Sequence, residues 1–381
     1  MSYIVYTGVF DFPFGQAAAK RVLGNIKLLK NLGHEVVVGH GGEELFTQFH
    51  DDDIIIDCYG LDELFNKSSG FLKLFNFMFK SGDNTVKWLD QLHKKPDYII
   101  VYGGYYRYAK NLLKYCNREK IKIIFDVVEW YEPSQMLGGR FGFFYNSFLL
   151  AFKFVYPKAD GIIVISSSLK SVFSRNVKVV IPPLITSYNN TFHKPNETLS
   201  LIYAGNIGNK DKLHNIIKVV EKLSEKNSIE FNIFGPTEEE LKAKFNIPFF
   251  NGCIKIYGKI PQKYINSYIE KSDFTIFTRP NTHTNKYGFP SKFVESLSLG
   301  VPVATNLTSD LSLYLQESYN GFVIDDESEH AIEACIVKML NLTVSEKIKI
   351  KENALISARH NFSTDSSLLK HSVLDFFEKL G

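Results

Sequence analysis

A two-part α/β protein, each half a doubly wound parallel sheet, is predicted by three observations. Continuous apolar runs of strand length recur with helical stretches between them, the mark of parallel strands covered on both faces. The alternation breaks at a Pro- and Asn-rich stretch, 181–196, and then restarts. A chain of 381 residues is also long for one core, so two domains are the better expectation.

In the first half, Tyr3–Thr7 reads as a strand running into a Gly/Pro loop (Gly8, Pro13, Gly15). An Ala-rich helix follows from Ala17 to about Leu32, closed by Gly33. Further strands are expected at Glu35–Gly39, Asp53–Asp57, Tyr98–Tyr102, Lys122–Asp126 and Gly161–Ile165. After the break come strands at Leu199–Gly205, Glu230–Gly235, Ile254–Gly258, Phe274–Phe277 and Val301–Thr305, with a helix near Leu213–Ser224. In doubly wound sheets, ligands are expected at the carboxyl ends of the strands.

Composition excludes several classes. Hydrophobic residues make up 45% and charged residues 22%, which describes a globular chain. A net charge of +3 gives no case for nucleic acid. Cys58, Cys116, Cys253 and Cys335 are scattered without CxxC pairs, which argues for reduced thiols and against a zinc site. The start enters a strand directly, and no run of eighteen apolar residues occurs, so a cytoplasmic chain is expected. Two segments, 71–80 and 141–154, are dense in Phe with Lys at their edges. They read either as core helices with snorkelling lysines or as a surface that dips into the membrane interface.

Tyr287-Gly-Phe-Pro-Ser-Lys-Phe-Val-Glu-Ser-Leu-Ser-Leu-Gly-Val-Pro-Val-Ala-Thr305 carries the most information. Pro290 suits a first helical turn, Phe293, Val294 and Leu297 form an apolar face, and Gly300 ends the helix. Ser291 and Glu295, four apart, share a face. Lys292 adds charge where free N–H groups and the helix dipole already favour an anion. A phosphate at the helix start and a ribose one turn further on would suit this arrangement. The alternative is an ordinary capped helix with a solvated Lys and Glu.

These residues resemble the retaining GT-B glycosyltransferases of the group 1 or glycosyltransferase family 4 type, in the branch with Pro-Ser-Lys-x-x-Glu followed by Gly-x-Pro-Val. Ala159-Asp-Gly-Ile-Ile-Val-Ile-Ser166 and the segment from Phe362 onward resemble the family's pre-linker strand and last helix. The resemblance implies a GT-B fold of two Rossmann-like domains facing a central cleft. Residues 1–185, completed by a helix at 363–381, would form the acceptor side, and 186–362 the nucleotide-sugar side. It also implies a donor site of Phe289, Pro290, Ser291, Lys292 and Glu295. The Gly205, Asn206, Gly208, Lys210 and Lys212 loop, Gly235, and Tyr257, Lys259 and Ile260 around the base complete it. Arg279, after the strand at Phe274–Phe277, is placed where a donor sugar would sit. Two positions depart from the wider family: Tyr287 stands where it carries a first Glu, and Asn206 where it carries an Arg.

On the acceptor side the resemblance points to the first loop, with Gly8, Phe14, Gly15 and Gln16, backed by Arg21. Gly103 and Gly104 end a second strand. Asp126 and Glu129 follow a third and are the acids expected nearest the reacting centre, with Glu132 close by; a capping role for Asp126 and a solvated Glu132 is the alternative. Asp51-Asp-Asp53 is set aside as a metal motif for want of context, and no metal or other cofactor is expected. The implied function is a hexosyltransferase moving sugar from a nucleotide donor, UDP by family usage, to a glycan or lipid-linked acceptor in surface polysaccharide biosynthesis, with retention. A peripheral contact at the inner face of the cell membrane goes with a lipid-linked acceptor. The rivals are a catalytically silent GT-B protein and a sugar-nucleotide 2-epimerase, whose own carboxylate and His signatures are not found.

Overall fold

The computed structural model describes the chain except residues 15, 16, 44, 52, 53, 186–190, 207 and 209. It divides into two compact units, Met1–Thr186 with Thr364–Gly381, and Ser187–Ser363.

Among the described residues the first unit holds an eight-stranded sheet. Its strands are β1 (Tyr3–Gly8), β2 (Glu35–His40), β3 (Phe46–Asp51), β4 (Ile54–Gly60), β5 (Tyr98–Tyr102), β6 (Lys122–Val127), β7 (Gly161–Val164) and β8 (Val177–Val180). Their order is β3-β4-β2-β1-β5-β6-β7-β8. All pairs are parallel except β3 with β4, which are antiparallel. The central strands β1, β6 and β7 are buried along their length apart from Lys122, as their apolar runs require, whereas β4 alternates and leaves Ile55 exposed. The polar edge strand β3 (Phe-Thr-Gln-Phe-His-Asp) lacks that signature. Its last residue, Asp51, pairs with Lys27 at 2.8 Å, so this carboxylate serves packing.

The helices of this unit are α1 (Ala17–Asn31), α2 (Gly70–Phe79), α3 (Asp83–Asp90), α4 (Tyr106–Glu119), α5 (Phe143–Phe154) and α6 (Ser167–Lys170). Val22, Ile26 and Leu29 of α1 seal one face of the sheet over Ile4, Tyr6 and Val38. Each such side chain contributes roughly 1.5–3 kcal/mol when fully buried.

Glu63 is the unusual member of this interior. It is fully buried and accepts from the backbone N–H of Gly82 (2.8 Å) and Thr85 (2.9 Å) and from Thr85 Oγ1 (3.0 Å), which ties it to the start of α3. Burial, only partly offset by these donors, pushes its carboxyl up to about 6. A raised carboxyl is relatively favourable below its unfolded value, and that benefit is lost as pH rises through about 6. The wild type is therefore expected to lose about 2 kcal/mol relative to Glu63→Gln between pH 4.5 and pH 7. Urea unfolding of both proteins at the two pH values checks this, and parallel curves would refute it.

The second unit holds strands β9 (Leu199–Ala204), β10 (Ile229–Phe234), β11 (Ile254–Gly258), β12 (Phe274–Ile276), β13 (Val303–Thr305) and β14 (Gly321–Val323). They pair in parallel in the order β11-β10-β9-β12-β13-β14. Around them lie α7 (His214–Ser224), α8 (Glu238–Phe245), α9 (Gln262–Lys271), α10 (His283–Tyr287), α11 (Ser291–Ser298), α12 (Glu329–Leu340) and α13 (Val344–Phe362). The chain then returns to the first unit as α14 (Ser367–Leu380), where Val373, Phe376 and Phe377 join the core. This helix begins at Ser367 rather than at 363, because Ser366 caps it by accepting from the Leu369 N–H.

Candidate functional site

In the second unit, the strand order places β9 between β10 and β12, so the loops after these three strands meet at one edge. The loop after β9 turns sharply at Gly205, whose N–H donates to Phe234 O at 3.0 Å. Gly235, after β10, has φ +115°, and a Cβ there would lie 2.0 Å from Gly205 O, so only glycine lets the two turns stack.

The same loop is braced from below. Asn285 Nδ2 donates to Lys210 O (3.0 Å), and Thr278 and Lys212 exchange two bonds, Lys212 N to Thr278 O at 2.7 Å and Thr278 Oγ1 to Lys212 O at 3.0 Å. Asn306 fixes the backbone of Arg279 on both sides, at 2.8 and 2.7 Å. The following helix, α11, starts after Pro290 and buries Phe293, Val294 and Leu297; Ser296 Oγ lies 2.6 Å from Thr275 Oγ1 of β12.

These braces bring Lys292 to the loop after β9. Its ammonium pairs with Asp211 at 2.5 Å and stands 4.2 Å from the centre of the Tyr203 ring and 5.1 Å from that of Phe277. Arg279 approaches the other Asp211 oxygen at 3.6 Å, and Tyr203 OH donates to Asp211 at 2.9 Å. Burial alone would raise the Asp211 carboxyl, but the charges of Lys292 and Arg279 and the bonds from Lys292 and Tyr203 hold it below the usual range. A Cβ on Gly205 would fall 2.7 Å from Lys292 Nζ, so the ammonium rests directly on that turn. Two cations sharing one internal carboxylate leave a net positive, partly enclosed cluster beside a helix N-terminus, a setting for an anionic group.

The other expected donor-side residues fall into three groups. Ser291 is exposed and Glu295 half-buried on α11, and Gly208 and Asn206 are exposed on the loop. Lys210 is half-buried, whereas the Lys212 side chain is exposed and forms no part of the Asp211 cluster. Lys259 and Ile260 follow β11. Three of the expected residues make side-chain contacts within the unit. Phe289 is buried against Phe293, Tyr314 and Phe362, because this loop needs an apolar anchor. Pro290 is buried with it. The ring of Tyr257 lies flat on Phe234, 4.4 Å between centroids, with its hydroxyl donating to Asn232 at 3.0 Å, and the residue stays 38% exposed.

Sequence reasoning missed Asp211. Its one signal is an acid inside Lys-Asp-Lys, which reads as a solvated charge run; the partner that gives it meaning is 81 residues away.

In the first unit, Asp126 is not placed as a reacting acid. It is 0% exposed, and its oxygens accept from Arg21 Nη2 (2.7 Å), Arg21 Nε (3.0 and 3.1 Å), Tyr6 OH (2.6 Å) and Asn25 Nδ2 (3.1 Å). Arg21 also donates to Ile181 O at 2.8 Å. Both residues expected at an acceptor loop are thus spent on joining α1 to β6 and to the chain after β8. Burial, followed by the Asp126 charge, pushes the Tyr6 hydroxyl far above its usual value, so it remains a donor. Glu129, half-buried beyond β6, stands near Tyr102 and Tyr131, where its charge adds to burial in raising both hydroxyls. Glu132 and Gln135 form a capping box, which uses this acid locally. Gly8 ends β1, and Gly103 and Gly104 follow β5, with Gly103 N donating to Asp126 O at 2.8 Å. Phe14 is almost fully exposed. Gly15 and Gln16 lie outside the described residues.

Residues 186–356 match the family model of glycosyl transferases group 1. The chain is 22% identical over 158 residues to the amylovoran biosynthesis glycosyltransferase AmsK of Erwinia amylovora, a match that spans 35% of this chain and 38% of that protein. Among solved structures it is similar to sucrose-phosphate synthase from Thermosynechococcus elongatus, with a TM-score of 0.70 at 13% identity over 100% of this chain and 99% of that one. Anabaena HepE in complex with UDP-glucose gives a TM-score of 0.66 at 12% identity over 99% and 100%. The fold is GT-B, with two parallel-sheet units. The group 1 match lies almost wholly in the second unit and covers less than half of the chain, and the solved structures share its fold.

Proposed function

We propose that the chain transfers a sugar from a nucleotide-sugar donor, a UDP-sugar by preference, to a glycan or lipid-linked glycan, with retention, in the assembly of a surface polysaccharide. The observation that carries this reading is the Lys292–Asp211–Arg279 cluster at the start of α11, inside the segment that matches the group 1 family. Departure of a nucleoside diphosphate leaves an electron pair on its β-phosphate oxygen. Lys292, Arg279 and the first N–H groups of α11 would stabilise that charge as preorganised donors. Glu295, one turn along α11, would accept from the ribose hydroxyls. The sugar would pass through an oxocarbenium-like state as its anomeric C–O bond to the diphosphate breaks, and the acceptor hydroxyl would attack on the face the diphosphate leaves, passing its proton to the departing β-phosphate oxygen. With side-chain cations in this role, the proposed step needs no metal. The setting would be the cytoplasmic side of the membrane.

Calorimetry with UDP-, GDP-, dTDP- and ADP-sugars on the wild type and on Glu295→Ala tests the donor assignment. One nucleotide should bind, and the variant should weaken it by about tenfold, the worth of one or two ribose hydrogen bonds to a carboxylate. Equal affinity in both proteins would remove Glu295 from the site. A second reading, a silent sugar-nucleotide binder, is favoured by Tyr287 and Asn206 at the two departures from the family pattern. Binding of the donor without turnover across an acceptor panel would select it.

A further inference from the structure

The two Phe-rich segments resolve into one outward surface of the first unit. On α2, Phe77 points inward and packs between Tyr105 and Phe144, 5.2 and 5.6 Å between centroids. Phe71, Leu72, Phe75 and Phe79 fall on the opposite side of the helix at its 3.6-residue period, and all four are exposed, Phe71 at 82%. Leu137 and Phe141, in the turns before α5, are exposed at 81% and 94%. The Phe141 turn is pinned to α5 by Asn146 Nδ2, which donates to Arg140 O and Gly142 O at 3.0 and 2.9 Å. Because Phe144 of α5 holds Phe77 of α2, the two exposed apolar groups belong to one rigid block. The core-helix alternative therefore holds for Phe77, Phe148 and Phe152, which are at least partly buried, and fails for Phe71, Leu72, Phe75, Phe79 and Phe141.

Charge says what covers the surface. Residues 64–82 and 133–158 contain six cations, Lys67, Lys73, Lys80, Arg140, Lys153 and Lys158, and no acid. All but Lys73 are exposed. The acids that flank these segments are spent locally: Glu63 is buried, Asp83 pairs with Arg107 at 3.4 Å, and Glu132 sits in a capping box. Exposed apolar side chains in segments that carry cations and no acid are complementary to an anionic headgroup layer over hydrocarbon. No helix of the described residues is long and apolar enough to cross a membrane, so this contact would be a surface one.

The geometry points to α2 and the Phe141 turn as a docking face for an anionic phospholipid bilayer, with Phe71, Phe75 and Phe141 entering the interface. The inference deepens the proposed transfer to a lipid-linked acceptor and rests on that reading for the acceptor's class. The test is flotation of the full chain with vesicles of phosphatidylcholine alone or with about one-third phosphatidylglycerol. The wild type should float with the anionic vesicles and progressively less as salt rises. Phe71→Ser/Phe75→Ser/Phe141→Ser should partition at least about tenfold less, while Phe249→Ser, an exposed apolar site in the second unit, should behave as wild type. Thermal melts establish that the variants are folded. Failure to float, equal flotation of the triple variant, or equal binding to neutral vesicles would overturn the inference. So would a wild-type dimer in solution that the triple variant dissociates, since the face would then belong to a second copy. Donor binding by calorimetry on the same proteins reports on the second unit separately, so loss of one activity does not imply loss of the other.

Discussion

Lys292→Ala is expected to lower kcat/KM by about 10²–10³ and to weaken binding of the free nucleoside diphosphate. The ammonium is the charge closest to the turn at Gly205 and is shared with one carboxylate, so its loss leaves Asp211 facing Arg279 alone. Asp211→Asn should act in the opposite direction on binding. It keeps the side-chain shape but removes the internal counter-charge, so UDP should bind roughly 3–10 times more tightly, with a steeper dependence on salt. Because the Asp211 carboxyl is held below its usual range, its contribution is present above about pH 4 and is lost only as pH falls through the lowered value. The contrast between the two variants should therefore hold from about pH 5 to neutrality and narrow at alkaline pH, since burial lowers the pKa of Lys292 and its charge is lost earlier than that of a free lysine. Calorimetric titration of UDP against both proteins at two ionic strengths decides the matter. Weakening of UDP binding by Asp211→Asn would mean that the carboxylate serves chiefly to position Lys292.

Asp126→Asn is expected to destabilise the first unit by about 3–5 kcal/mol, since it strands the buried Arg21 guanidinium without its counter-charge. Replacing both partners, Arg21→Met with Asp126→Leu, should recover much of that loss, as buried pairs often tolerate exchange for apolar residues of similar volume. Recovery will be incomplete, because Asn25, Tyr6 OH and the Ile181 carbonyl then lose partners as well. Denaturant melts of the single and double variants give the coupling energy. If Asp126→Asn instead left stability intact while abolishing turnover, the residue would return to the reacting centre.

The two halves differ in how far their sites were legible. The Pro-Ser-Lys helix was readable because its apolar positions, its proline and its closing glycine are all local, and α11 forms at Ser291–Ser298 as they require. The central strands were readable because burial on both faces demands unbroken apolar runs. β3 was not, since a two-sided edge strand with Gln48, His50 and Asp51 has no such run. The acidic cluster after β6 misled for a similar reason. Three acids near a strand end look alike in sequence, yet Asp126 is enclosed, Glu132 caps a turn, and Glu129 lies half-buried beyond the strand near Tyr102 and Tyr131.

What the sequence determined by itself was the class of fold, its division near the Pro- and Asn-rich stretch, and the helix at Ser291–Ser298 that is proposed to receive an anion. These rest on periodicity and on turn chemistry, which act over a few residues. The tertiary structure decided the charge partners: Arg21 with Asp126 across 105 positions, and Lys292 with Asp211 across 81. It also decided which phenylalanines face outward. Coulomb energy and exposure depend on distances in space, and a sheet that interleaves β9, β10 and β12 brings together loops that sequence separation keeps apart.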